Sequence, residues 1–242
     1  MGSEKIPHNE VVSIEETGAT FIRRLRGDID MGVSFAKSNS QTEMTLNGDI
    51  TYQATRYIAS LESSSQFTTQ KEGADTNETS AKVEYFHQLQ LSNLYGGAIA
   101  NFLSSSEQQI NLRATLGGAV AVRAIFTNKT DLSLIGGLGI TTEKDAADSV
   151  STANKHSLDA AVAVQYSTFR FDTTTFDTTF WVYPSLTSSG RVRTTLNQDV
   201  YYKFYKDFYI RGSFYDNYDN RPVVGAPANN FGISSTVGWS FR

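Results

Sequence analysis

From residue 23 onward the side chains alternate apolar and polar, in stretch after stretch of about 10 to 15 residues, the period of a strand with two unlike faces. The last stretch shows it best. Phe231, Ile233, Val237, Trp239 and Phe241 fall on one face, and Asn230, Gly232, Ser234, Thr236, Gly238 and Ser240 on the other. Near the start, Leu25, Ile29, Met31, Val33 and Phe35 oppose Arg26, Asp28, Asp30 and Ser34. A helix turns 100° per residue and would scatter both sets around its circumference. Twelve such segments are predicted, at 23–37, 42–54, 57–68, 79–90, 94–104, 111–126, 131–142, 156–169, 175–187, 191–205, 207–217 and 229–241. The expected fold class is all-β.

Composition narrows the function classes. The 242 residues contain no Cys, which removes disulfides, thiolate metal sites and Cys nucleophiles. A net charge of -4 gives no positive field for phosphates, so no nucleic-acid partner is expected. No apolar run approaches the roughly 18 residues of a transmembrane helix. Met1–Glu10 lacks the regions of a signal peptide. Averaged in this way, the chain looks like an ordinary soluble β protein.

The connections point elsewhere. Those near Thr55–Arg56, Ser92–Asn93, Asn128–Lys129, Thr173–Thr174 and Lys206 are short. Every longer one alternates with them, the longest being 70–79, 143–155 and 217–230. Short turns on one rim and long loops on the other is the layout of a barrel that spans a membrane. Twelve strands closed around single apolar side chains would leave a void, so the apolar face is expected to point outward. The alternative is a soluble sandwich that buries that face between two sheets. The polar face carries Arg26, Asp28, Asp30, Asp49, Glu62, Lys82, Glu84, Arg113, Arg123, Asp159, Asp177, Asp199, Lys203 and Arg211. The apolar face carries almost no charge, and its aromatics gather near segment ends, where interfacial girdles sit. The architecture expected is a single 12-stranded antiparallel transmembrane β-barrel, an up-and-down meander.

The segments 30–52 (DMGVSFAKSNSQTEMTLNGDITY), 182–193 (VYPSLTSSGRVR), 207–222 (DFYIRGSFYDNYDNRP) and 231–241 (FGISSTVGWSF) resemble the bacterial family catalogued as domain of unknown function 481. Its members often carry the label salt-induced outer-membrane protein. The resemblance covers residues 21–242 and implies a barrel in the Gram-negative outer membrane, with the lipid bilayer and the outer-membrane assembly machinery as partners. Trp239 and Phe241 are then the candidate assembly signal, although Arg242 follows where such strands usually end on the aromatic. Residues 1–20 become a periplasmic tail of a mature chain without its signal peptide, Met1–Ser3 being an expression remnant. The resemblance implies no reaction and carries over no catalytic residue.

Chemistry candidates are few. His87 lies on the apolar face of the fourth segment, where a lipid-facing hydrolase would place a histidine, but no Ser and Asn accompany it convincingly. His8 and His156, assigned to a tail and a loop, are too scattered for a metal site. The stretch 216–220 (DNYDN), assigned to a loop, offers oxygen ligands without an ordered calcium-loop pattern. The pairs Gly96–Gly97, Gly117–Gly118 and Gly136–Gly137 read as close backbone approach or a bend in the wall, since no helix follows to cradle a phosphate. No enzyme activity, catalytic residue, metal or cofactor is expected.

The polar face is the informative constellation. Its charges come near balance, with acids in strands one to four and bases in strands six, ten and eleven, which suggests a transverse field. Trp181, Tyr183, Tyr201, Tyr205, Tyr209 and Tyr215 share that face and narrow the lumen. The leading expectation is a narrow, weakly selective passive channel for ions or small polar solutes. The others are a closed structural barrel whose loops 143–155 and 217–230 meet an envelope partner, and a lipid-facing enzyme.

Overall fold

The computed structural model describes residues 20–36, 41–71, 74–90, 93–145, 155–168, 173–223 and 225–241. The expected tail thus lies outside the described residues except for Thr20. Among the described residues, the 3-10 turn Phe21–Arg24 leads into twelve strands. These are β1 (Leu25–Ala36), β2 (Gln41–Gln53), β3 (Tyr57–Thr69), β4 (Thr76–Gln88), β5 (Leu94–Ser105) and β6 (Ile110–Phe126). They continue with β7 (Thr130–Asp145), β8 (Lys155–Thr168), β9 (Thr174–Pro184), β10 (Val192–Tyr205), β11 (Phe208–Asp219) and β12 (Asn229–Phe241). Each strand pairs antiparallel with its chain neighbours, and β1 pairs with β12 to close the sheet. The structure is therefore the 12-stranded up-and-down barrel expected from the alternation.

The burial pattern is inside out relative to a soluble protein. Ile233 is 78% exposed, Leu116 67% and Ile140 62%, while Asp30, Asp159 and Thr236 are almost completely buried. One closed sheet has no second sheet against which to hide its outer face, so the sandwich alternative falls. An apolar surface on every strand is far larger than a soluble monomer exposes. A closed barrel also satisfies its backbone hydrogen bonds internally, as hydrocarbon requires. Both features describe a transmembrane barrel.

Two seams are shorter than the rest. The closing seam pairs only Gly27–Met31 with Phe241–Val237. Between β8 and β9 the ladder covers Val162–Thr168 against Val182–Phe176. Above it the β9–β10 loop takes over: the Leu186 amide donates to the Leu158 carbonyl at 2.7 Å, and the Leu158 amide to Thr187 Oγ1 at 3.0 Å. The register slips between Lys203 and Tyr205, so Tyr205 sits at the turn, largely exposed, and not in the lumen as expected.

Several predicted loop residues prove to be strand. β7 runs on to Asp145 and β8 begins at Lys155, so His156 is an exposed strand residue bonded to Thr142. The stretch 216–220 is mostly strand as well, since β11 extends to Asp219. Successive strand residues face opposite sides, so Asp219 points into the barrel and Asp216 does not, and the two cannot converge on calcium.

The glycine pairs divide by face. Gly97, Gly117 and Gly137 point inward, where a Cβ would collide with the neighbouring strand, at 2.6 Å from the Leu138 carbonyl oxygen in the case of Gly117. Gly136 points outward into open space. On the outside of the short-turn rim, Phe21, Tyr52, Tyr57 and Tyr85 follow one another with ring centroids 4.9, 5.8 and 5.9 Å apart, the first two pairs stacked and the third tilted. The three tyrosines are part of the aromatic set expected at strand ends.

Candidate functional site: the barrel lumen

The inward residues of β1, β2, β10 and β11 meet around Arg211. Its Nε donates to Asp199 Oδ1 at 2.8 Å, and its Nη1 lies 3.1 Å from Asp30 and 3.6 Å from Asp49. Tyr201 lies under the guanidinium, 5.2 Å away. Asp28, Asp49 and Glu62 stand directly opposite one another on β1, β2 and β3, and Lys82 on β4 follows in the same row. Lys82 Nζ is 2.9 Å from Glu62 and 3.5 Å from Glu84. Like charges facing across strands destabilise a sheet. Arg211, 3.6 Å from Asp49, and Lys82, at the end of the row, offset that cost.

A second layer crosses the lumen toward the long-loop rim. Arg113 on β6 donates to Glu143 on β7 at 2.5 Å and reaches Asp219 on β11 at 3.4 Å. Arg191, from the β9–β10 loop, bonds the same two carboxylates, at 3.1 Å to Glu143 and 2.6 Å to Asp219. Burial lowers the pKa of Arg191, but the Asp219 hydrogen bond and the charges of Glu143 and Asp219 outweigh it and hold the guanidinium above the ordinary arginine range. Arg193 donates to Asp159 at 2.5 Å and to Thr141 at 3.1 Å, and Thr141 donates to Asp159 at 2.7 Å. On the other side, Glu78 of β4 accepts from Asn230 of β12 at 2.7 Å and Asn217 of β11 at 3.3 Å. Tyr215 of β11 donates to Gln66 of β3 at 2.9 Å. Apart from Arg113–Glu143 and Thr141–Asp159, which link adjacent strands, these bonds join walls that are not neighbours, so they are chords across the barrel.

Below the chords lies a cavity of about 300 Å³. Asp49, Glu62, Lys82, Asn101, Arg193 and Asp199 are among its polar walls. Part of the remaining interior is filled. Trp181 packs against Ile99, Ala121, Ile135 and Ala163, and stacks on Tyr183 at 5.6 Å with rings nearly parallel. Trp181 is only 4% exposed, so most of its ring fills space.

All the predicted lumen residues lie on the inward parity of their strands. Asp28, Asp30, Asp49, Asp199 and Arg211 gather in the first cluster; Glu62, Lys82 and Glu84 form the second; Arg113 and Asp159 join the crossing layer. Arg123 stands apart, pairing with Asp131 at 2.7 Å and lying over the Phe126 ring at 3.7 Å. Arg26, Asp177 and Lys203 face inward nearer the short-turn rim and do not join the crossing layer. Trp239 and Phe241 are outward neighbours with ring centroids 5.6 Å apart. His87 faces outward opposite Tyr57 and Gly96.

Arg113, Asp159 and Tyr215 are chord residues legible from parity; the sequence reading missed most of their partners. Glu143 and Asp219 fell just past its segment ends, and Arg191 belongs to a loop. Glu78 falls just before the segment predicted at 79–90, while Glu43 and Arg193 lie inside predicted segments with inward parity. With these included, acids exceed bases inside the barrel and are not confined to β1–β4: Asp131, Glu143 and Asp145 stand on β7 and Asp159 on β8. The expected near balance and simple transverse split are corrected accordingly. Among the described residues, no cluster of acidic and histidine side chains has metal-holding geometry.

A closed meander, apolar outside and charged within, defines an outer-membrane-type β-barrel with a polar lumen that its side chains do not completely fill. The chain belongs to the family described as "Protein of unknown function, DUF481", whose profile matches residues 29–241. No curated protein matches it. Among solved structures it is similar to the NanC porin, at 14% identity and a TM-score of 0.49, covering 90% of this chain and 99% of that one. It is also similar to the translocator domain of the autotransporter NalP from Neisseria meningitidis, at 16% identity and 0.48, covering 90% and 87%. A third is the COG4313 outer membrane channel from Pseudomonas putida F1, at 12% identity and 0.48, covering 90% and 95%.

Proposed function

We propose that this protein is a bacterial outer-membrane channel, narrow and weakly selective, passing ions or small polar solutes. The observation that carries the reading is the cavity of about 300 Å³ with charged walls inside a barrel whose outer wall is apolar. Water and hydrated solutes are stabilised by such walls and excluded from the surrounding hydrocarbon. A barrel of twelve strands has more interior than its own side chains fill. The test is single-channel recording in planar bilayers after refolding in detergent. Steady, reproducible conductance steps support the channel, and silence from protein with heat-modifiable gel mobility removes it.

The chords favour a second reading. Arg113 to Asp219 and Glu78 to Asn217 hold opposite walls together, which suits a closed structural barrel with an envelope partner at its loops. The same recordings separate the two, because a closed barrel passes no current.

A further inference from the structure

We infer that the lumen admits cations in preference to anions, an inference that deepens the channel reading and rests on it. The basic groups of the crossing layer and of the Arg211 and Lys82 clusters are all engaged with carboxylates. The reverse does not hold. Glu78 is held by Ser105, Asn217 and Asn230, which are neutral donors. Glu43 is held by the Gln66 amide, and Asp28 by the Tyr209 hydroxyl. Among the described residues, none of these three carboxylates has a cation within ion-pair distance. Glu84 is 8% exposed, yet its Oε1 has no hydrogen-bond donor, only Lys82 Nζ at 3.5 Å.

Neutral donors stabilise a carboxylate without cancelling its charge. The lumen field is therefore negative, and the low-dielectric walls focus it along the cavity. Glu78 and Glu62 both line that cavity, above and beside Lys82, while Glu43 and Glu78 line the vestibule next to it. A small hydrated cation replaces the counter-charge that Glu78 and Glu43 lack along this path. Along this path, an anion meets Lys82, Arg113, Arg191, Arg193 and Arg211, each already engaged by a carboxylate. Rings of Asp and Glu confer cation preference on pores by this means.

The chain has no Cys, so one introduced thiol reports the local potential without background. Ser80 lines the cavity between Glu78 and Lys82 on the inward face of β4. The experiment compares modification of S80C by a cationic and an anionic methanethiosulfonate reagent, each normalised to an A228C control on the exposed β11–β12 loop. Folding is checked by heat-modifiable mobility. The expected result is a normalised preference for the cationic reagent of about tenfold or more at low salt, shrinking toward unity at about 1 M salt. E78Q and E62Q in the S80C background each reduce it. A ratio at or below one overturns the inference, as does a thiol that reacts with neither reagent until the barrel is unfolded. In bilayers, a reversal potential on the anion side also overturns it. Silence there removes the channel reading alone, because the thiol ratio is measured without current.

Discussion

The Tyr209 hydroxyl lies 3.0 Å from Asp30 Oδ2, although β12 stands between their strands. The ring reaches β1 by lying across Gly238, where any Cβ would overlap its Cζ and hydroxyl oxygen and come within 2.7 Å of Asp30 Cβ. The same hydroxyl is 3.0 Å from Asp28 Oδ1, so its one proton serves two carboxylates. This tie spans the closing seam, the shortest in the barrel.

Gly238→Ala is expected to weaken closure, because overpacking of this kind costs about 1–3 kcal/mol. Tyr209→Phe keeps the ring and leaves two carboxylates short of a donor, at about 1–3 kcal/mol. Urea titration of protein refolded into vesicles checks both. Midpoints equal to the parent would show that the seam does not need the tie.

The glycines on β7 give a paired test. Gly137→Ala places a methyl against the Gly118 carbonyl and the Ala119 Cβ, and is expected to lower stability by about 1–3 kcal/mol. Gly136→Ala meets nothing within 4 Å and restricts the unfolded chain, so it is expected to be neutral or stabilising by under about 1 kcal/mol. The same urea titration reads both, and equal effects would contradict the assignment of faces.

Outward charge is expected to be costly at mid-wall. Leu138 is 56% exposed near the middle of β7. Leu138→Arg should cost about 2–4 kcal/mol in a bilayer. The check compares refolding yield in vesicles with that in short-chain detergent micelles. The loss should be larger in vesicles, and a loss confined to micelles would mean that the face does not meet hydrocarbon.

Arg191→Gln cuts the loop from the Glu143–Asp219 pair and leaves Arg113 alone with both acids. Removing one member of a buried ion network costs up to about 3–5 kcal/mol, less here because Arg113 remains. Single-channel conductance is expected to rise as the loop no longer closes over the chords. Because the Arg191 pKa is raised, its stabilisation is present below the ordinary arginine range and is lost only above it. Alkali up to about pH 11 is therefore expected to leave conductance unchanged. A step in that range would place closure on another group.

The alternation of Phe231 to Phe241 determined strand, and the twelvefold repeat with its alternating short and long connections determined the barrel. Period two also placed the polar-face charges within its segments, from Arg26 to Arg211, on one wall, because a strand has only two sides. The sequence could not say which charges meet. Arg113 and Asp219 are 106 positions apart, and Tyr209 and Asp30 are 179 apart. Their contact depends on the register around the closed sheet and on which glycine leaves room for a ring. Nor could it reveal that Gly136 and Gly137, adjacent in the chain, meet open space and a carbonyl. Local pattern sets the direction of a side chain; closure of the sheet selects its partner, and so decides which carboxylates inside this barrel are left without a counter-charge.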